Sequence, residues 1–437
     1  MFNISKRKLS LATLLSITLV LGALPNAFSG EHGAPQIQSY SDAMMTLKKK
    51  SAVKQALRHI AEHDQQTIDD MIILSEIPAP PFKEQKRAEK FAQMLRDLGL
   101  SDVTIDNEGN VLARRKGRNS AHTVAIVAHL DTVFPEGTDV RVKVDGNLYT
   151  APGIGDNARG LAVITAMVRA LQTAAIKTDG DILFVGSVGE EGLGDLRGVK
   201  YLLREAGPGI DSFIGIDGGT NRLVYGAVGS YRYRVTFRGP GGHSWGAFGT
   251  VNPHHALGRA MEKMAVGGED IYATGPKVSI SVGRIGGGTS INSIPFESWM
   301  EVDMRSATVR KLDEMDRMFK QAVMKALDAE NTARREGPPL TVEIDNIGLR
   351  PAGKGDVKSA LVQRAMAAMS LLGTTPELAV SSTDANIAIS RGMPAITMSR
   401  GGINKASHSL HESWQNTDGH IAIQSVLLTA LAEAGVL

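Results

Sequence analysis

Three short apolar runs, each closed by polar residues, set the pattern of the chain. Val124-Ala125-Ile126-Val127-Ala128 leads into His129-Leu130-Asp131, the run from Asp181 to Val188 leads into Gly189-Glu190-Glu191-Gly192, and Ser212 to Ile216 leads into Asp217-Gly218-Gly219. Continuous apolar runs of this length, bounded by glycine, read as buried strands. Helical spacing fills the gaps, over Leu161 to Leu171 and Val199 to Ala206. Strand–helix–strand alternation predicts a mostly parallel sheet with helices on both faces. The strand ends and helix starts would then open into one crevice, where ligands bind in open α/β sheets.

The flanking pattern adds smaller elements. Residues 30 to 50 read as a polar leader with little pattern, and Ser51 to Leu74 reads as helical until Pro78, Pro80 and Pro81 interrupt it. Glu84 to Leu98 places Ala88, Phe91, Leu95 and Leu98 on one stripe, and Gly99 suits its C-terminal cap. Two short strands follow, near Val103 to Ile105 and Asn110 to Arg114. A glycine-rich turn, Gly153-Ile154-Gly155-Asp156-Asn157-Ala158-Arg159-Gly160, precedes the first helix of the alternating region.

After Gly226 the period changes. Ser230 to Arg238 alternates, with Tyr231, Tyr233, Val235 and Phe237 on one face. Asn252-Pro253 starts a helix, since asparagine caps and proline suits the first turn. Strands at Lys277 to Ile285 and Glu297 to Arg305, a helix at Val309 to Asn331 and a strand at Leu340 to Ile344 complete a β-α-β-β-α-β order, the ferredoxin-like signature. This predicts an α+β unit, residues 229–347, inserted between two parts of an α/β domain at 30–228 and 348–437. In the second part, Asp356 to Leu372 is helical, Thr383-Asp384-Ala385-Asn386 opens a short helix, Pro394 to Ser399 is a strand and His420 to Ala434 is the closing helix.

With 437 residues the chain exceeds one compact core. A net charge of +2 and the lack of a dense basic stripe argue against nucleic acid as a partner. There are no cysteines, which excludes disulfides, a thiol nucleophile and cysteine metal ligands. At the start, Lys6, Arg7 and Lys8 precede an apolar stretch from Leu9 to Leu24, and Ala27-Phe28-Ser29 offers small residues for cleavage before Gly30. Residues 1–29 read as a secretory signal peptide, with an uncleaved anchor as the alternative. In a bacterial cell the mature protein is expected in the periplasm or outside, without stable membrane association.

The candidate chemistry gathers at the strand ends. His129, Asp156, Glu190, Glu191, Asp217 and either His408 or His411 would share one edge. Carboxylates packed together are costly unless cations neutralise them. Two divalent ions bridged by one carboxylate, about 3.5–4 Å apart, are the natural solution. Histidine and carboxylate ligands without sulfur suit zinc, and also tolerate cobalt or manganese. Asp131, two residues beyond His129, can hold the second ring nitrogen of that histidine.

These motifs, together with Gly242-His243-Ser244, Ser382-Thr383-Asp384-Ala385-Asn386 and His408 followed by Glu412, are similar to those of the co-catalytic zinc exopeptidases and deacylases. That family contains peptidase T, carboxypeptidase G, acetylornithine deacetylase and succinyl-diaminopimelate desuccinylase. The resemblance covers nearly the whole mature chain and implies a lid or dimerisation domain in the place of the inserted unit. It implies that Asp156 bridges two metals, that His129 and Asp217 complete one site, and that Glu191 and His408 complete the other. His408 is preferred to His411 because an acid follows it four residues later. Glu190 would be the general base, Asp131 would orient His129, His243 would stabilise the oxyanion, and Asn292 and Arg305 would bind a substrate carboxylate. His243 would act in its own chain or across a homodimer formed through the inserted unit. Asp217-Gly218-Gly219 resembles the peptidase T branch, which implies an aminopeptidase on di- or tripeptides. The secretion signal and the Val251-Asn252-Pro253-His254-His255 stretch depart from that branch. A carboxypeptidase or an N-acyl amino acid deacylase would use the same site, and a metal-free binding protein on this fold is the alternative of a different class.

Overall fold

Eight strands form the central sheet, in the order Asp102–Ile105, Val111–Arg115, Asp181–Ser187, Thr123–His129, Ser212–Ile216, Ala395–Met398, Arg222–Ala227, Glu377–Ser381. They belong to a computed structural model that describes residues 34–120 and 122–437, with side chains from Ser39 onward. The expected signal peptide lies outside the described residues. Thr123–His129 pairs in parallel with Asp181–Ser187 on one side and Ser212–Ile216 on the other, and Ala395–Met398 extends the parallel region. The first two strands and the Ala395–Met398/Arg222–Ala227 pair are antiparallel, so the sheet is mixed. The three apolar runs thus lie side by side, and the residues after them leave from one edge.

Both faces of this sheet are covered, which is why its central strands are apolar throughout rather than alternating. Val124, Ile126 and Ala128 face a core that includes residues of helices Gly160–Thr173 and Gly419–Ala434. Ala125 and Val127 face the opposite side, against Leu183, Val185, Leu196 and Ile387. Arg87, fully buried on helix Gln85–Asp97, donates to the carbonyls of Ile77 (3.0 Å) and Leu130 (2.8 Å) and so ties down the loop beyond His129.

Several elements differ from the sequence pattern. The supposed leader contains a helix, Ala34–Lys49, whose Met44 and Leu47 pack on the main core. Its apolar stripe is too sparse to stand out in sequence. The helix expected over Ser51 to Leu74 is two, Ser51–Glu62 and Asp64–Ser75, parted at His63. Strands Arg222–Ala227 and Glu377–Ser381 were not expected, and neither was a small sheet in the order Ile403–Lys405, Ser413–Gln415, Leu148–Thr150, Lys143–Asp145. The strands of the small sheet are only three residues long, too short to show a period, and Arg222–Ala227 pairs with Glu377–Ser381 far away in sequence.

The α+β unit has the predicted order. Its antiparallel sheet runs Val278–Gly287, Glu297–Ser306, Gly229–Arg238, Thr341–Arg350. Helices Pro253–Tyr272 and Val309–Ala333 share a separate core with it, built on Val235, Phe237, Met300, Val302, Met304, Leu312 and Phe319. The Asn252 side chain accepts from His254 N at 2.9 Å, the cap expected before Pro253. Strand alternation puts Arg232, Asp303 and Arg305 on the face away from the helices. The last strand does not stop near Ile344 but continues to Arg350 through a register shift between Asn346 and Gly348. Its final residue therefore reaches the central sheet.

Candidate metal centre

His129 is the last residue of its strand, buried, with Nε2 3.2 Å from Asp156 Oδ1. Its Nδ1 lies 3.0 Å from the main-chain oxygen of Asp131, a contact that puts a proton on Nδ1 and turns Nε2, the atom a metal would take, toward Asp156. The expected partner of Nδ1, the Asp131 carboxylate, is 3.6 Å away and is otherwise engaged. It accepts the backbone N–H groups of Glu190 at 3.0 Å and Glu191 at 2.7 Å. Asp131 thus fixes His129 through its carbonyl and the acid pair through its side chain.

Asp156 stands on the glycine-rich turn. Gly153 has φ 79°, and a Cβ at Gly155 would lie 1.7 Å from Asn404 Oδ1, so the turn needs glycine at both places. Glu412 anchors this turn from the small sheet's side, accepting from the N–H groups of Gly153 (3.2 Å), Gly155 (3.1 Å) and Asp156 (2.8 Å). Burial, then the nearby charge of Asp156, push the Glu412 carboxyl up to about 7. The same small sheet carries the loop of His408, whose Nε2 is 3.0 Å from Glu191 Oε1 and 3.4 Å from Asp156 Oδ2. His411 is exposed and no contact of its ring is seen among the described residues. Asp156 therefore turns one oxygen to His129 and the other to His408.

Two buried arginines meet these acids, and the sequence reading missed both. Arg350 Nη1 is 3.0 Å from Glu190 Oε1 and 3.1 Å from Ser382 Oγ, and Nη2 donates to the Glu190 carbonyl. Burial raises the Glu190 carboxyl well above the usual range, Arg350 opposes this, and the charge of Glu191 adds to it. Arg400 Nη1 is 3.0 Å from Asp156 Oδ1 and 3.2 Å from Asp217 Oδ1. Asp217 thus joins the cluster through Arg400. A cavity of about 310 Å³ is lined by Asp156, Glu190, Glu191, Asp217 and His408 and by Arg232, Arg305 and Arg350 of the α+β sheet. Arg232 and Arg305 share Asp303, at 3.0 Å and 2.6 Å.

His243 and Asn292 do not line this cavity. They sit together on a two-stranded ribbon, where His243 pairs with Ser293 and Ser244 N donates to the Asn292 carbonyl at 2.9 Å. Both are exposed. His243 Nδ1 accepts from the N–H groups of Trp245 (3.2 Å) and Gly246 (3.4 Å), so Nε2 carries the proton and is an outward donor.

Residues 125–434 match the profile of peptidase family M20/M25/M40. The chain belongs to this family. Within M20, the chain is similar to carboxypeptidase G2 of Pseudomonas sp. (strain RS-16), 26% identical over 318 residues that make up 69% of this chain and 72% of that protein. Its fold is that of aminopeptidase PepT from Bacillus cereus, with a TM-score of 0.66, 21% identity, and 85% of this chain and 98% of that chain covered. It is also that of the di-peptidase Dug1p from Saccharomyces cerevisiae, with a TM-score of 0.70, 15% identity and coverage of 88% and 99%. As an M20 member the chain is a metal-dependent hydrolase.

The donor set fits a metal of that kind. His129, Asp156 and Glu191 each offer one ligand atom within 4.8 Å of the others. An imidazole Nε2, carboxylate oxygens and no sulfur are the ligands that zinc and its first-row neighbours take. Glu412→Ala should free the turn under Asp156 and weaken zinc binding about 10–100-fold, the usual cost of losing a partner behind a ligand. His411→Ala should leave zinc binding unchanged. Calorimetric titration checks both; equal affinities in the two variants would show that Glu412 does not govern the site.

Proposed function

We propose that this chain is an exopeptidase that removes the N-terminal residue of di- and tripeptides and grips their free carboxylate with Arg305. The observation that carries the reading is the cavity itself, which the acid and histidine cluster and Arg305 line together. Its volume, about 310 Å³, suits a small substrate. Under this reading His129, Asp156 and Asp217 hold one divalent cation, and Asp156, Glu191 and His408 hold the second, most simply zinc. Bound there, the cations would polarise the scissile carbonyl and acidify the attacking water.

The protein's own part follows from the geometry. Glu190 takes the proton from water as its oxygen bonds to the carbonyl carbon, and returns it to the amide nitrogen as the C–N bond breaks. Arg350 and the N–H bond to Asp131 keep the Glu190 carboxylate in place. His243 Nε2–H is a donor suited to the developing oxyanion, and Asn292 beside it suits the substrate carboxylate. Neither reaches the cavity in its own chain, so the reading assigns them to a partner copy in a homodimer built through the α+β unit. Trp245 (87% exposed), Phe248, Ile291 and Phe296, exposed apolar side chains on the segments that form and flank the His243 ribbon, support an interface there.

A second reading, carboxypeptidase or N-acyl amino acid deacylase, is favoured by one observation. Each acid lining the cavity already faces an arginine or histidine, which leaves none for a substrate ammonium group. Peptides with free, acetylated and amidated ends separate the two. The aminopeptidase reading predicts that acetylation of the N-terminus abolishes turnover and that C-terminal amidation mainly raises KM; brisk release from the acetylated peptide would replace it by the second reading. In either case Glu190→Gln should lower kcat about 100–10,000-fold, as loss of a general base does, while zinc content stays at the wild-type level. Near-wild-type turnover would remove Glu190 from its role.

The dimer has its own test. His243→Ala should lower kcat about 100–1,000-fold, the usual effect of removing an oxyanion donor. Mixing inactive Glu190→Gln chains with inactive His243→Ala chains should restore activity, because a hybrid dimer contains one site with both residues intact. No recovery from a mixture that exchanges subunits would place His243 in its own chain's site.

A further inference from the structure

Arg400 lies against two acids of one proposed cation position, and the mechanism above gives it no task. It follows strand Ala395–Met398 and is buried, at 3% exposure. One nitrogen, Nη1, is within 3.0 Å of Asp156 Oδ1, 3.2 Å of Asp217 Oδ1 and 3.3 Å of Asn157 Oδ1. The same Asp156 oxygen faces His129 Nε2 at 3.2 Å. A fixed positive charge therefore already occupies the neighbourhood that His129, Asp156 and Asp217 would offer to a metal. At the other position, no arginine among the described residues is at hydrogen-bonding distance of Asp156 Oδ2 or Glu191 Oε1, which converge on His408 Nε2. Arginine keeps its charge throughout. The guanidinium can be moved but not neutralised. Its Nε has no hydrogen-bond partner among the described residues.

We propose that Arg400 is a positioning residue that makes the two cation positions unequal. It acts as a built-in counter-ion for Asp156 and Asp217. The Glu191–His408 position then fills first and tightly. The His129–Asp217 position fills second and more weakly, because the incoming cation must compete with the guanidinium for Asp217 and for one oxygen of Asp156. At limiting metal the chain would carry one cation, and occupancy of the second position would set how much of it is active. The inference rests on the two-cation reading under Proposed function.

Calorimetric titration of the chelator-stripped full chain with zinc tests it without reference to activity. Wild type should bind two equivalents in steps at least tenfold apart. Asp217→Asn should lose the weaker step and keep the tighter one. Arg400→Met should tighten the weaker step at least tenfold and leave the tighter one in place, while Arg400→Lys should lie between, since a single ammonium cannot serve both acids in the same way. Two equal steps in wild type overturn the inference even if Arg400→Met does not fold. An Arg400→Met chain whose second step is unchanged or weaker overturns it too, because the arginine would then be aligning the ligands rather than competing with the cation. A wild-type chain that takes up no zinc, or a single equivalent at saturation, overturns the two-cation reading and the inference with it, a result distinct from two equal steps.

Discussion

Carboxylates packed at the end of a buried sheet must be neutralised, and most of this structure serves that need. Asp156 is the centre of it. One of its oxygens faces His129 and Arg400, the other faces His408, and its own backbone N–H is held by Glu412. Isolated charges do not survive burial; pairs, hydrogen bonds and metals allow it. The parallel strands bring the acids together, and the loops supply cations from three other parts of the chain: the small sheet, the segment after Ala395–Met398 and the end of the α+β unit.

That last contribution links the two units. The α+β sheet is apolar toward its helices and charged on its other face, where Arg232 and Arg305 share Asp303. Arg350 closes its final strand and binds Glu190, while Leu349 N donates to Asp195 at 2.8 Å in the loop just beyond Glu191. The unit is thus fastened to the very loop that carries the acid pair. A displacement of one would be felt by the other.

Much of this was legible in the sequence because it follows from local pattern. The apolar runs that end in His129, Glu190-Glu191 and Asp217 are central neighbouring strands, and the change to alternation at Ser230 marks the α+β unit. What was not legible depends on distant pairing or on interrupted pattern. Arg350 was missed because the register shift after Asn346 breaks the alternation that would have extended the strand to it. Arg400 looks like any loop arginine until the sheet places it between Asp156 and Asp217. The His129 ring meets the Asp131 carbonyl at 3.0 Å as well as its carboxylate at 3.6 Å, and the carboxylate also takes the Glu190 and Glu191 N–H groups, contacts that no spacing reveals. His243 and Asn292 lie together on one ribbon but do not line the cavity.

The central claim is that two cations sit at this edge with Asp156 between them. Diffraction from zinc-loaded crystals, recorded on both sides of the zinc absorption edge, tests it most directly. The account predicts two anomalous peaks about 3.5–4 Å apart, the spacing of two-metal hydrolases, one beside His129 and Asp217 and the other beside Glu191 and His408. A single peak in fully loaded crystals, or a pair not bridged by Asp156, would contradict it.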